Sequence, residues 1–176
     1  LEEPANKPIR ILLADDHRLL REALVQMFQS VEGMSVIAEA QDGKRTMDLV
    51  REVNPDVVIM EPGLPCGSGI ETAKAILGQR PETRIIALSN SVDRLSVLGM
   101  IRAGSSGYLL KDCSFKELVN AVRTVASGRT YLSPGITGLL VEDYVCRMSN
   151  SPASASSGLT ARERDVLRLI AEGRPT

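Results

Sequence analysis

The chain has 176 residues, 43% hydrophobic and 24% charged, with a net charge of −1. That balance suits a globular chain able to bury a core, and it excludes an overall basic footprint for nucleic acid. Cys66, Cys113 and Cys146 stand far apart, and His17 is the sole histidine. This argues against a structural zinc site and fits a reducing cytosol. No apolar run is long enough to cross a bilayer, so the reading is cytoplasmic with no membrane partner. The opening LEEPANKPIR starts with Glu2 and Glu3 and contains two prolines, and it lacks both an initiator Met and the pattern of a signal peptide.

The predicted elements alternate. IRILLAD (9–15) reads as a buried strand, and residues 17–31 as a helix with Leu20, Ala23, Leu24, Met27, Phe28 and Val31 on one face. MSVIAEA is a second strand, and Gly43 opens a helix to about Val53. DVVIM is a third strand, followed by a Gly/Pro loop and a helix over 69–80. RIIALS is a fourth strand with a helix over roughly 92–103. SGYLLK is a short fifth strand. The helix over 114–128 carries Ser114 as N-cap, Glu117 as its capping-box partner and Gly128 as its stop. Nearly continuous β-branched and Leu-rich strands alternating with helices imply right-handed crossovers and a parallel sheet covered on both faces. The fold class is therefore α/β, as five strand–helix repeats.

After Gly128 the character changes. Residues 131–148 look helical from about Pro134, and SNSPASASSG (149–158) reads as a flexible linker. LTARERDVLRLIAEG (159–173) is a helix with capping box Thr160/Glu163. One amphipathic helix cannot bury its own apolar face, so the chain reads as cut short inside a second domain. The expected organisation is a domain over 8–128, a helix and linker over 129–158, and an incomplete helical domain over 159–176.

Polar groups gather at the carboxyl ends of the strands, where open parallel sheets bind ligands. Asp15 and Asp16 follow the first strand, Glu61 the third, Ser89 the fourth and Lys111 the fifth. Three carboxylates and one ammonium leave excess negative charge, which raises a carboxylate pKa or recruits a divalent cation. Oxygen ligands favour Mg²⁺. Lys111 and the Ser89 hydroxyl could then contact phosphoryl oxygens, so the site suits phosphoryl transfer onto a carboxylate.

The stretches LLADDH, PDVVIMEPGLPCGSGIE, ALS and AGSSGYLLKD, in this order, resemble the receiver domain of two-component response regulators over about residues 8–128. SGLTARERDVLRLIAEG resembles the opening of a LuxR-type helix-turn-helix domain, and the whole resembles a NarL-type transcriptional regulator. The resemblance implies a flavodoxin-like fold with strand order 2-1-3-4-5, an order known for receiver proteins generally. It implies Asp15 and Asp16 as the Mg²⁺-holding pair, with the Gly63 carbonyl as a further ligand. Ser89 becomes the switch hydroxyl, Tyr108 the aromatic switch and Lys111 the phosphate-binding lysine. The implied partners are promoter DNA, bound through the complete C-terminal domain, a sensor histidine kinase and a second copy in a homodimer. No DNA-contacting residue is expected within these 176 positions, because the recognition helix lies beyond them.

Glu61 occupies the phosphoacceptor position, where the family has Asp. Its arm is about 1.5 Å longer, one C–C bond, so its carboxylate could bond to Lys111 or Ser89 and partly imitate a phosphoryl group, and a misplacement near 1 Å can cost on the order of 100-fold in rate. Pro62 and Asn90 also depart from the family pattern. Three readings compete. The first is a DNA-binding regulator whose atypical receiver works without ordinary phosphorylation, with Glu61 natural or an engineered mimic. The second is a conventional regulator in which Glu61 still accepts phosphate. The third is a Mg²⁺-dependent, phosphatase-like enzyme, disfavoured because ADDH lacks a D-x-D arrangement and no P-loop is present. Plainer readings stay open at single positions. Asp16 could simply cap the first helix, His17 could start it, Lys111 could be an exposed strand-end lysine, and Tyr108 could be core.

Overall fold

The computed structural model describes residues 7–150. The chain divides into two compact units, Leu1–Thr137 and Gly138–Thr176, and the sheet lies wholly within the first. The elements run β1 (Ile9–Ala14), α1 (Arg18–Gln29), β2 (Met34–Ala40), α2 (Gly43–Val53), β3 (Val57–Met60), α3 (Gly69–Gln79), β4 (Arg84–Ser89) and α4 (Arg94–Arg102). They continue with β5 (Gly107–Leu110), α5 (Phe115–Ala126), β6 (Tyr131–Leu132) and α6 (Pro134–Asn150). All pairings are parallel, in the order β2-β1-β3-β4-β5-β6. The α/β flavodoxin-like reading therefore holds.

The sheet has six strands rather than the five expected. Beyond α5 the chain turns at Gly128, where φ is +82°, and Tyr131–Leu132 pairs with Gly107 and Tyr108. Two residues are too few to show a period, so no hydrophobic pattern could announce this strand. Its effect is to cover the β5 edge: the Tyr131 N–H donates to the Ser106 carbonyl at 3.0 Å, and the Ser133 N–H to that of Tyr108 at 3.1 Å.

Helix boundaries fall within a few residues of those read from sequence, and three local expectations change. Helix α6 runs through Asn150, so the first two residues of the expected linker are helical; the rest of the linker and the helix expected over 159–173 lie outside the described residues. The Ser114 hydroxyl accepts the Glu117 N–H at 3.2 Å, but the Glu117 carboxylate accepts the Tyr131 hydroxyl at 3.3 Å instead of closing a capping box. On α1, Leu24 and Phe28 are buried and Leu20, Val25 and Val31 pack beside them, while Ala23 and Met27 face outward. The inward stripe is narrower than the apolar pattern suggested. It ends in an edge-to-face contact between Phe28 and Phe115, with ring centroids 5.0 Å apart.

The strands supply the centre of the core. Ile11, Leu13, Val57, Ile59, Ile86, Leu88 and Leu109 form one buried cluster with Leu118, Ala121, Val122 and Val125 of α5. Each Val, Leu and Ile among them contributes roughly 1.5–3 kcal/mol by leaving water. This rigid floor holds the strand ends in register and fixes where their polar residues emerge.

Candidate functional site

Backbone bonds bring the strand ends together. The Glu61 N–H donates to the Ala14 carbonyl at 2.9 Å, which sets Glu61 beside Asp15, and the Lys111 N–H donates to the Ser89 carbonyl at 2.8 Å. The side chains then meet. Lys111 Nζ lies 2.6 Å from Asp15 Oδ2 and 2.7 Å from Glu61 Oε2. Glu61 Oε1 accepts the Ser89 hydroxyl at 3.3 Å and the Gly63 N–H at 3.3 Å.

This triad is nearly out of water: the side chains of Lys111, Asp15 and Glu61 are 8%, 8% and 13% exposed. Burial pulls the Lys111 ammonium down, but hydrogen bonds and attraction from Asp15 and Glu61 outweigh it, and its pKa stands above the ordinary lysine value. The plain reading of Lys111 as an exposed strand-end lysine is thereby excluded.

A second line of contacts runs from Glu61 to Tyr108. The Ser89 hydroxyl that donates to Glu61 accepts the Ser91 N–H at 3.3 Å, and the Ser91 carbonyl accepts the Tyr108 hydroxyl at 3.3 Å. The Tyr108 ring is fully buried. Burial raises its phenol pKa, the Ser89 hydroxyl opposes that, and the negative charges of Glu61 and Asp93 add to it.

Among the described residues, the group able to hold a cation is Asp15, Asp16 and His17, whose ligand atoms lie within 4.8 Å of one another. His17 is the N-cap residue of α1, without a side-chain cap bond, so Asp16 does not cap that helix. The His17 N–H donates to Asp15 Oδ1 at 2.8 Å, and its Nδ1 lies 3.0 Å from both acids. Glu61, read from sequence as a third acid of this set, is drawn aside by Lys111, Ser89 and Gly63. Gly63 meets the site through its N–H.

Two contributors were missed in the sequence. Arg21 donates to the Asp15 carbonyl and lies 3.5 Å from Glu39, pinning the end of β1 from α1. Its place between Leu20 and Leu24 on the inward stripe was the available signal. Ser91 is the link between Ser89 and Tyr108, and nothing in its loop sequence marks it.

The loop after Glu61 is held by close approaches that only glycine allows. Pro62 is buried, and its carbonyl accepts the Gly69 N–H at 2.9 Å. A methyl group at Gly69 would lie 2.7 Å from the Glu61 carbonyl oxygen and from Pro62 backbone atoms. Gly69→Ala is therefore expected to lower stability by about 1–3 kcal/mol. Urea denaturation checks this, and an unchanged midpoint would mean the loop yields freely.

Comparison with known proteins agrees with this architecture. Residues 11–123 match the response regulator receiver domain. The chain is 31% identical to the transcriptional regulatory protein DegU of Brevibacillus brevis, over 98% of this chain and 78% of that protein. It is 31% identical to the nitrate/nitrite response regulator NarL of Escherichia coli K12, over 96% and 78% respectively. Among solved structures, a LuxR-family two-component response regulator from Aurantimonas sp. SI85-9A1 superposes with a TM-score of 0.74 at 34% identity, covering 79% of this chain and 99% of that one. The receiver domain of NarL from Mycobacterium tuberculosis does so with a TM-score of 0.67 at 31% identity, covering 70% and 99%. With its crevice of strand-end acids facing a buried lysine, the chain belongs to the two-component response regulators of the NarL/LuxR type.

Proposed function

We propose that this response regulator controls transcription by binding promoter DNA as a homodimer, and that its receiver signals without ordinary phosphorylation. In this reading residues 8–128 are the receiver, 129–158 connect, and 159–176 open the LuxR-type helix-turn-helix domain. The observation that carries the reading is the contact set of Glu61. Its two oxygens engage Lys111 and Ser89, the groups assigned to the phosphoryl oxygens, at 2.7 and 3.3 Å. The extra methylene extends the carboxylate toward the place a phosphoryl group takes on the shorter aspartate. The glutamate carries about −1 against the −1.5 to −2 of a phosphoryl group, so it imitates the modified state only in part. Its signal passes through Ser89 and Ser91 to Tyr108.

The donor set at the acidic lip suits a hard divalent cation. Asp15 and Asp16, with the Gly63 carbonyl, are the residues to hold Mg²⁺ weakly, and the ion would neutralise charge on phosphoryl oxygens. That cation set keeps open the second reading, in which a sensor histidine kinase phosphorylates Glu61.

Incubation with a small-molecule phosphodonor and Mg²⁺, followed by intact-mass analysis, separates the two. The expected result is no added mass. A gain of about 80 Da mapped to Glu61, the mass that one phosphoryl group adds in forming an acyl phosphate, would sink the phosphorylation-independent reading.

A further inference from the structure

The opposite end of the sheet carries a feature that signalling through Glu61 does not use. At the amino ends of the strands two cavities, about 870 and 550 Å³, share Lys7, Ile9 and Ala126 as lining. Five cations line them: Lys7, Arg10, Arg80, Arg84 and Arg123. Among the described residues the carboxylates there are Glu32, Asp56 and Glu82, and two of these are engaged. Asp56 accepts the Arg10 N–H at 2.8 Å, and Glu82 lies 3.2 Å from Arg80. The Arg10 guanidinium donates to the Asn54 carbonyl at 3.0 Å, not to an acid. Arg84 and Arg123 make no ion pair among the described residues. A chain with a net charge of −1 thus gathers positive charge at the end away from its acidic pocket.

Helix electrostatics account for part of this. Arg80 caps α3 and Arg123 sits in the last turn of α5, where cations complement the partial negative charge of helix carboxyl ends. Arg10 likewise donates to the Asn54 carbonyl at the carboxyl end of α2, and Arg84 reaches Gly128 just beyond α5, so what the helix ends leave unexplained is that Arg84 and Arg123 make no ion pair among the described residues.

We propose that these two basic cavities, which meet at Lys7, Ile9 and Ala126, together bind one oligophosphate anion. Guanidinium groups present planar forks that match phosphate oxygens two at a time. Here they come from two strands and two helices, so a single carboxylate cannot engage them together, whereas a chain of phosphates can. Among the described residues the apolar lining amounts to Ile9, Pro55 and Ala126, too little to hold a large organic body in place of charge. The same phosphate chemistry has two sources, an inorganic polyphosphate or the tail of a nucleotide.

The test titrates the 176-residue chain with inorganic tripolyphosphate and separately with ATP and GTP. Amide NMR shifts locate the site and calorimetry gives the affinity. The expected result is shifts at Ile9, Arg84 and Ala126, with affinity about tenfold weaker in the double variant Arg84→Gln/Arg123→Gln. Arg84→Lys, which keeps the charge and loses the fork, should fall between the two. Thermal melts confirm that each variant is folded. Tighter binding of a nucleotide than of tripolyphosphate identifies the nucleotide tail, and equal binding identifies the bare polyphosphate; both support the proposal. It is overturned if the shifts are confined to Ser89 and Lys111, if folded double variant binds as tightly as the parent, or if random-sequence duplex DNA binds the cavities as tightly per phosphate.

Discussion

Lys111→Met is expected to destabilise the receiver by about 3–5 kcal/mol at neutral pH, the cost of leaving buried charges without their partner. Lys111 is the cation shared by Asp15 and Glu61, and all three side chains are nearly excluded from water. Methionine fills much of the same volume, so lost packing contributes little. Urea denaturation measures the loss, and a cost below about 1 kcal/mol would place the triad with ordinary surface ion pairs. Two further readings of the same experiment follow from electrostatics. The Lys111 pKa is raised in the folded chain, so its stabilisation is fully present below the unfolded lysine value and is lost as pH rises through the higher folded value. The parent chain should therefore weaken on titration upward from about pH 10.4, and the methionine variant should lack that part of the decline. Removing the ammonium also leaves Asp15 and Glu61 in want of a cation. Millimolar Mg²⁺ should raise the melting temperature of the variant more than that of the parent.

That triad shows how far the sequence could lead. The strand-end positions of Asp15, Glu61, Ser89 and Lys111 were legible, because buried parallel strands write themselves as continuous apolar runs and the chain must leave each run at its carboxyl end, whereas the strand order came only from the resemblance to receiver domains. Which of these groups touch was legible only in part. The longer arm of Glu61 pointed to Lys111 or Ser89, and it meets both, but spacing also grouped Glu61 with Asp15 and Asp16 as one cation set, and His17 joins that pair instead. Side-chain choice depends on reach and competing donors, and these appear only once the register is fixed. The same limit hid β6, whose two residues are strand only because the edge of β5 offers them partners. It also hid Ser91, which matters through its backbone N–H and carbonyl, groups that every residue but proline carries.

Changing Glu61 should separate charge from shape. Glu61→Gln keeps the length of the side chain and can still accept the Ser89 hydroxyl, but it sets an uncharged amide against the Lys111 ammonium. One of the two anions holding Lys111 is lost, and with it the negative charge that reaches Tyr108. If Glu61 holds the signalling state through its charge, the Tyr108 ring resonances should shift. Promoter activity, in a regulator carrying the complete DNA-binding domain, should fall by about 5–10-fold, the lower part of the range for coupling between sites. Glu61→Asp draws the carboxylate back by about 1.5 Å. From there it reaches Ser89 poorly without phosphate, so activity should fall in the absence of a phosphodonor. The shorter arm also restores the geometry for in-line attack, so this variant should gain a phosphoryl group and recover part of the activity when a donor is supplied. Recovery should be incomplete, because Pro62 and Asn90 still shape the entrance. Equal activity in Glu61, Gln and Asp forms, with Tyr108 unmoved, would mean that the pocket is silent and that the chain is controlled elsewhere.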